Sequence, residues 1–182
     1  MKDYNSTIER CKKGDKDAFR TIVMDFQQMI FRLAIKIICD EAEAEDIVQE
    51  TFINAWLSIK SFNNKSSLKT WLYRITCNKC YDRLRQMKNK ETMTDSIENM
   101  ENIQYDNDME NDISNKELCR LISLYTKDMP PMQKLVFTLK DMEDLPSDEI
   151  CKITGITSLQ LKSNLYFARK FIRNKFQKEK PL

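Results

Sequence analysis

Glycine occurs only twice in 182 residues, at Gly14 and Gly155, and proline four times. So few breakers favour helices, and each glycine stands where a helix would end in a left-handed cap. Histidine is absent altogether, which removes the commonest metal ligand. No stretch approaches the roughly 18 apolar residues that a membrane-crossing helix needs. Met1 is followed by polar residues rather than the apolar core of an export signal. The six cysteines, at positions 11, 39, 77, 80, 119 and 151, are unevenly scattered. Without an export signal they read as reduced thiols of a cytoplasmic protein. No nucleophile stands beside a base, and no carboxylate pair or glycine-rich phosphate loop is visible. An enzyme, a cofactor, a bound metal and a small-molecule substrate are therefore not expected.

Charge is abundant but segregated. The formal net charge is only +2, yet residues 91 to 115 hold eight acids and no Lys or Arg. Outside that window 20 acids face 30 bases. Residues 60 to 90 carry nine bases and one acid, and residues 152 to 182 carry eight bases and one acid. Two basic segments flanking an acidic spacer point to two separate contacts with a polyanion.

The pattern predicts an all-α chain of two small helical domains, residues 1–90 and 116–182, joined by a flexible acidic linker over residues 91–115. Ser6 with Glu9 resembles a capping box for a first short helix. Asp15 can cap a second helix, in which Phe19, Ile22, Val23, Phe26, Met29, Ile30, Leu33 and Ile37 form an apolar stripe. A third, over residues 41 to 59, buries Ala44, Ile47, Val48, Phe52, Ala55, Trp56 and Ile59. Its other face is acidic, with Asp40, Glu41, Glu43, Glu45, Asp46 and Glu50, and positions 37 to 59 contain no base. Those carboxylates lack partners at i+4, as a docking face would. The linker has few apolar groups and one sign of charge, so it should stay extended.

Two further segments carry the nucleic-acid reading. After the polar loop from Ser61 to Ser66, a helix capped by Ser66 or Ser67 interleaves bases with Trp71, Tyr73 and Tyr81. Bases set among aromatics suit partly unstacked nucleic acid, since every base has a face to stack on. Near the C-terminus, Ser147 can cap a helix through Ile150 and Ile153, and Gly155 turns the chain. Thr157 or Ser158 then caps a second helix reaching about Phe176. That spacing is of the helix-turn-helix type, whose second helix enters the major groove. Leu161, Leu165, Ala168 and Ile172 face inward. Ser158, Gln160, Lys162, Ser163, Asn164, Phe167 and Lys170 face outward, where amides suit adenine and lysines suit guanine or phosphate.

Together these residues resemble a bacterial RNA polymerase sigma factor of the extracytoplasmic-function (ECF) group of the sigma-70 family. The run Ala44-Glu45-Asp46-Ile47-Val48-Gln49-Glu50-Thr51-Phe52-Ile53-Asn54-Ala55-Trp56 is similar to the region 2 helix that docks on the clamp helices of the polymerase's largest subunit. The resemblance makes Asp46, Gln49 and Glu50 the polymerase contacts. It likens residues 62–67, residues 68–75 and Asn78 to the segment that opens and reads the minus-ten element. That gives Asn63, Asn64, Lys65, Ser66, Lys69, Arg74 and Asn78 as DNA contacts. Residues 129–137 and 145–169 resemble region 4, the reader of the minus-thirty-five element. The chain departs from the family at Asn164, often Arg there, and at Phe167, often basic.

The function so implied is binding of core RNA polymerase and direction of transcription initiation at promoter DNA, with an anti-sigma protein as a further class of partner. The alternative is a helix-turn-helix regulator acting without polymerase docking, which accounts for residues 147 to 180 but leaves the acidic helix without a role. A thiol or metal site at Cys77-Asn78-Lys79-Cys80 is weak, because no second pair accompanies it.

Overall fold

The computed structural model describes residues 3–94 and 120–178. Of the acidic linker expected over residues 91–115, residues 91–94 are helical instead, and residues 95–115 lie outside the described residues, as does residue 116, where order was expected to return. Among the described residues the only regular structure is helical. Helix α1 spans Asn5–Lys12, α2 Lys16–Ile38 and α3 Glu41–Ser58, the last followed by a 3-10 turn, Ile59–Ser61. Helix α4 runs over Leu68–Thr94. Helix α5 covers residues 120–126. Helix α6, Pro131–Phe137, widens into a π-helical turn at Thr138–Met142. Helices α7, Ser147–Thr154, and α8, Ser158–Lys178, form the helix-turn-helix.

The helix ends follow local chemistry. Asp15 accepts the Ala18 amide at 3.0 Å and Asp40 accepts the Glu43 amide at 2.9 Å, each satisfying a donor in the first turn. Gly14 at φ 91° and Gly155 at φ 73° hold the left-handed positions expected of them. Cys39 closes α2 in the same conformation at φ 60° without being glycine. Ser67 is the residue that caps α4, accepting the Thr70 amide at 3.0 Å. Two expected caps do not form. Asp3 already accepts the Asn5 amide at 3.0 Å, so α1 starts two residues early and Ser6 falls inside it. Pro146 precedes α7, which makes Ser147 its first helical residue.

Helices α2, α3 and α4 pack around a core in which Ile22, Ile30, Leu33, Ile37, Ile47 and Leu72 are almost wholly buried. The α2 stripe is the expected one, with Phe19, Val23 and Met29 at its half-buried margins. Buried Thr51 also faces this core, donating to Thr76 at 3.4 Å. In α5 it is Ile122 and Thr126 that turn inward, leaving Leu121 exposed.

The two described halves share one continuous core, because α4 also packs against α6 and α7. Polar contacts stitch the seam. Glu143 accepts Lys36 at 2.5 Å and the Tyr73 hydroxyl at 3.3 Å, and Thr70 donates to Glu149 at 2.9 Å. Leu72, near the start of α4, has no exposed surface. Leu72→Ala should cost about 2–5 kcal/mol of stability by leaving a cavity there, read as a lowered midpoint in urea unfolding.

Candidate nucleic-acid interface and docking face

Helix α3 sorts its residues between two sides. Ala44, Ile47, Thr51, Phe52 and Ala55 are buried against α2 and α4, while Asp46 and Gln49 are exposed. Their face continues with Ile53 and Leu57, which remain 58% and 72% exposed. Spacings of three and four put these residues on one stripe. Sequence reasoning missed the two apolar members; the signal was their position on the acidic rather than the buried side. Glu50 differs from expectation. It is half-buried and pairs with Lys79 at 2.9 Å and Arg83 at 3.4 Å. Arg83 also pairs with Glu43. The bases that answer these carboxylates come from α4, not from i+4 in the same helix. Glu50 therefore fastens α3 to α4, and the freely presented part of the face is Asp46, Gln49, Ile53 and Leu57.

The loop before α4 is anchored by Phe62, buried and 4.9 Å from the half-buried Trp71 ring. Trp71 is thus a packing residue rather than a free platform for a base. The anchor leaves Asn63, Asn64 and Lys65 exposed, and Ser66 half-buried beside them. Asn64 adopts φ 57°, and Asn63 accepts the Lys65 amide at 3.3 Å, which fixes a tight projecting turn. Arg74 and Asn78 are exposed one helical turn apart on the outer side of α4. Arg85 continues that side, its guanidinium 5.8 Å from the Tyr81 ring. Lys69 is exposed but stands apart, with its ammonium 5.3 Å from the Tyr73 ring, toward the seam with α7. Arg74 and Asn78 thus share one side of α4, Lys69 stands apart from them, and the loop tip is tied to α1 by the bond from Asn64 Nδ2 to Asn5 Oδ1 at 3.4 Å.

Cys77 and Cys80 lie in the core with no exposed surface. Burial pushes both thiols well above the ordinary range, so neither presents a thiolate. Burial and the neighbouring Glu143 carboxylate likewise push the Tyr73 hydroxyl up. Among the described residues no cluster of His, Cys, Asp or Glu could hold a metal ion. No described helix is long and apolar enough to cross a membrane.

In the helix-turn-helix, Ile150, Ile153, Leu161, Leu165 and Ala168 are buried and set α8 against α7 and α6; Ile172 is half-buried. Arg169 grips Asp141 through two bonds of 2.9 and 2.5 Å, and Lys175 bonds Asp128 at 3.1 Å. These two bases hold the unit together. Ser158, Lys162, Ser163, Phe167 and Lys170 are exposed as expected. The two amides are not presented as expected. Gln160 turns back into a capping box, its Oε1 accepting the Thr157 amide at 2.9 Å and the Thr157 hydroxyl at 3.1 Å. Asn164 is half-buried and donates its Nδ2 to the Gln160 carbonyl at 2.8 Å. Leu159 and Tyr166, which sequence reasoning passed over, are 77% and 62% exposed on the same outer face.

The chain can now be set beside known proteins. The family description "Sigma-70 region 2" matches residues 22–90, and "Sigma-70, region 4" matches residues 120–172. The ECF RNA polymerase sigma-E factor of Haemophilus influenzae is 31% identical over 177 residues, covering 93% of each chain. The ECF RNA polymerase sigma factor SigW of Bacillus subtilis is 30% identical, over 93% of this chain and 95% of its own. Among solved structures, CnrH in complex with the cytosolic domain of CnrY superimposes with a TM-score of 0.68 at 18% identity, covering 98% of this chain and all of that one. The sigma factor RpoE of Bartonella quintana, in complex with the anti-sigma factor NepR, gives 0.61 at 21% identity, over 87% of this chain and 96% of its own. With regions 2 and 4 matched in order and relatives at 30% identity along almost their whole length, this chain belongs to the ECF group of the sigma-70 family of RNA polymerase sigma factors.

Proposed function

We propose that this ECF sigma factor binds core RNA polymerase through the outer face of α3 and reads promoter DNA with two separate surfaces. The loop 62–67 and the Arg74–Asn78 side of α4 take the minus-ten element, and α8 takes the minus-thirty-five element. The working division is residues 1–90 for docking and minus-ten recognition, 91–115 as tether, and 116–182 for minus-thirty-five recognition. The chain does no chemistry of its own and acts in the cytoplasm, where the polymerase is. The RpoE structure was solved with an anti-sigma factor, and the same class of partner is proposed here.

One observation carries the docking assignment: Ile53 and Leu57 are bare on a helix whose opposite side is fully packed. A merely solvated acidic helix has no need of two adjacent exposed aliphatics, whereas a protein interface does. Leu57→Asp, at a position 72% exposed, should leave helicity unchanged. It should weaken binding to core polymerase by roughly tenfold or more, the scale of a well-buried interface residue. Titration of labelled core enzyme with parent and variant checks this, and equal affinities would remove α3 from the interface.

Promoter reading requires the seam to open. Elements named for positions minus ten and minus thirty-five lie about 25 base pairs apart, roughly 85 Å along B-form duplex. Surfaces packed together through α4 cannot touch both at once, so the closed arrangement is the chain's resting form. Glu143 and Glu149 hold it shut on Lys36, Tyr73 and Thr70. Glu143→Ala with Glu149→Ala should favour the open form, enlarging the chain in small-angle scattering. The same pair should speed thiol labelling at Cys80, which faces α6 near Lys134. Core polymerase added to the parent should produce the same acceleration, and no change in either case would mean the seam does not gate the factor.

A further inference from the structure

The outer face of α8 is unusual for a helix expected to read DNA, because its centre is apolar. Leu159, Tyr166 and Phe167 are 77%, 62% and 50% exposed. With Ser163 and Lys170 they form one stripe, at positions i, i+4, i+7, i+8 and i+11 of the helix. The two aromatic rings brace each other, centroids 5.4 Å apart at an interplanar angle of 75°, so they stand as a fixed bar rather than two mobile side chains. Around the bar lie exposed Lys162, Lys170 and Arg173, and α8 contains no acid anywhere along its length. An apolar ridge on a basic helix is complementary to a polyanion with an apolar feature at the bottom of its groove.

The residues that would ordinarily read hydrogen-bonding edges are withdrawn. Bidentate recognition of adenine needs both the oxygen and the nitrogen of an amide side chain. The Gln160 oxygen already accepts two bonds from Thr157, and the Asn164 nitrogen is committed to the Gln160 carbonyl. Both amides are thus tied back to their own helix rather than aimed at a base edge. What remains on the groove-facing stripe is Ser163, Lys170 and the hydrophobic bar. In the major groove of duplex DNA the one apolar feature of the four base pairs is the 5-methyl group of thymine.

We infer that Leu159, Tyr166 and Phe167 are the specificity-determining residues of the upstream contact, and that they select thymine by packing on its 5-methyl group. This rests on the reading above that α8 enters the major groove of the minus-thirty-five element. It predicts a different code from one read by a basic residue at position 167, which would favour guanine. The lysines and Arg173 contact phosphate and add affinity without sequence preference.

Deoxyuridine supplies a test that leaves the protein untouched, since it differs from thymidine only in lacking that methyl. Duplexes are first selected from a randomised pool by the full chain together with core polymerase. Each thymidine of the recovered upstream element is then replaced singly by deoxyuridine. One or more replacements should weaken binding about three- to fivefold, the factor associated with burying one methylene-sized group. For a Leu159→Ala, Tyr166→Ala, Phe167→Ala triple variant the same replacements should have no effect, because the partner surface is gone. Substitution at such exposed positions leaves the core intact, and thermal unfolding verifies it. If every deoxyuridine is tolerated, or the selected upstream element contains no thymine, the inference is overturned while α8 remains the reader. Should the pool show a conserved downstream element and no upstream one, the placement of α8 on DNA fails instead.

Discussion

Helix α4 is the constraint on which the other elements depend. Its 27 residues meet three different environments around one cylinder. Lys79 and Arg83 reach α3 and answer Glu50 and Glu43. Thr70, Tyr73, Cys77 and Cys80 lie toward the C-terminal half or in the shared core, and Arg74 and Asn78 face solvent. A helix with three committed sides cannot turn about its axis to suit one partner without breaking contact with another. That rigidity fixes the projection of the 62–67 loop, because Phe62 packs on Trp71 of the same helix.

The same geometry explains why one chain can be both compact and a reader of separated DNA elements. The faces assigned to polymerase and DNA point outward, so docking on α3 does not require the core of the first half to rearrange. The seam with the second half is different in character. It combines buried apolar contact with a few polar bonds centred on Glu143 and Glu149. A partly buried ion pair of this kind contributes little net stability, since desolvation offsets much of the attraction. Such a contact specifies a closed arrangement while leaving it within reach of a partner that binds the open one better.

Much of this fold was legible before any coordinates. The stripe from Ile22 to Ile37, the glycine caps at Gly14 and Gly155, and the helix-turn-helix around Ile156 all follow from spacing and turn chemistry. The exposure of Asn63 to Lys65, Arg74, Asn78, Lys162 and Ser163 was legible too, because it needs only local spacing. What failed was non-local or competitive. Glu50 looked unpaired because its bases lie on another helix, 29 and 33 residues on. Gln160 looked like a base reader because its outward position was weighed without the Thr157-x-x-Gln160 capping box, a local signal that was present in the sequence. Glu143 could not be singled out among the 28 acids, since its role depends on Lys36, more than a hundred residues away.

The central claim is that this chain lends promoter choice to a polymerase that lacks it. In-vitro transcription tests it most directly, using core RNA polymerase of the same cell, the purified chain and a library of genomic fragments, with start sites mapped by sequencing the transcripts. The account predicts transcripts that depend on the chain and share two sequence blocks at a fixed spacing upstream of their start sites. Transcription unchanged by the chain, or chain-dependent starts with no shared upstream sequence, would contradict it.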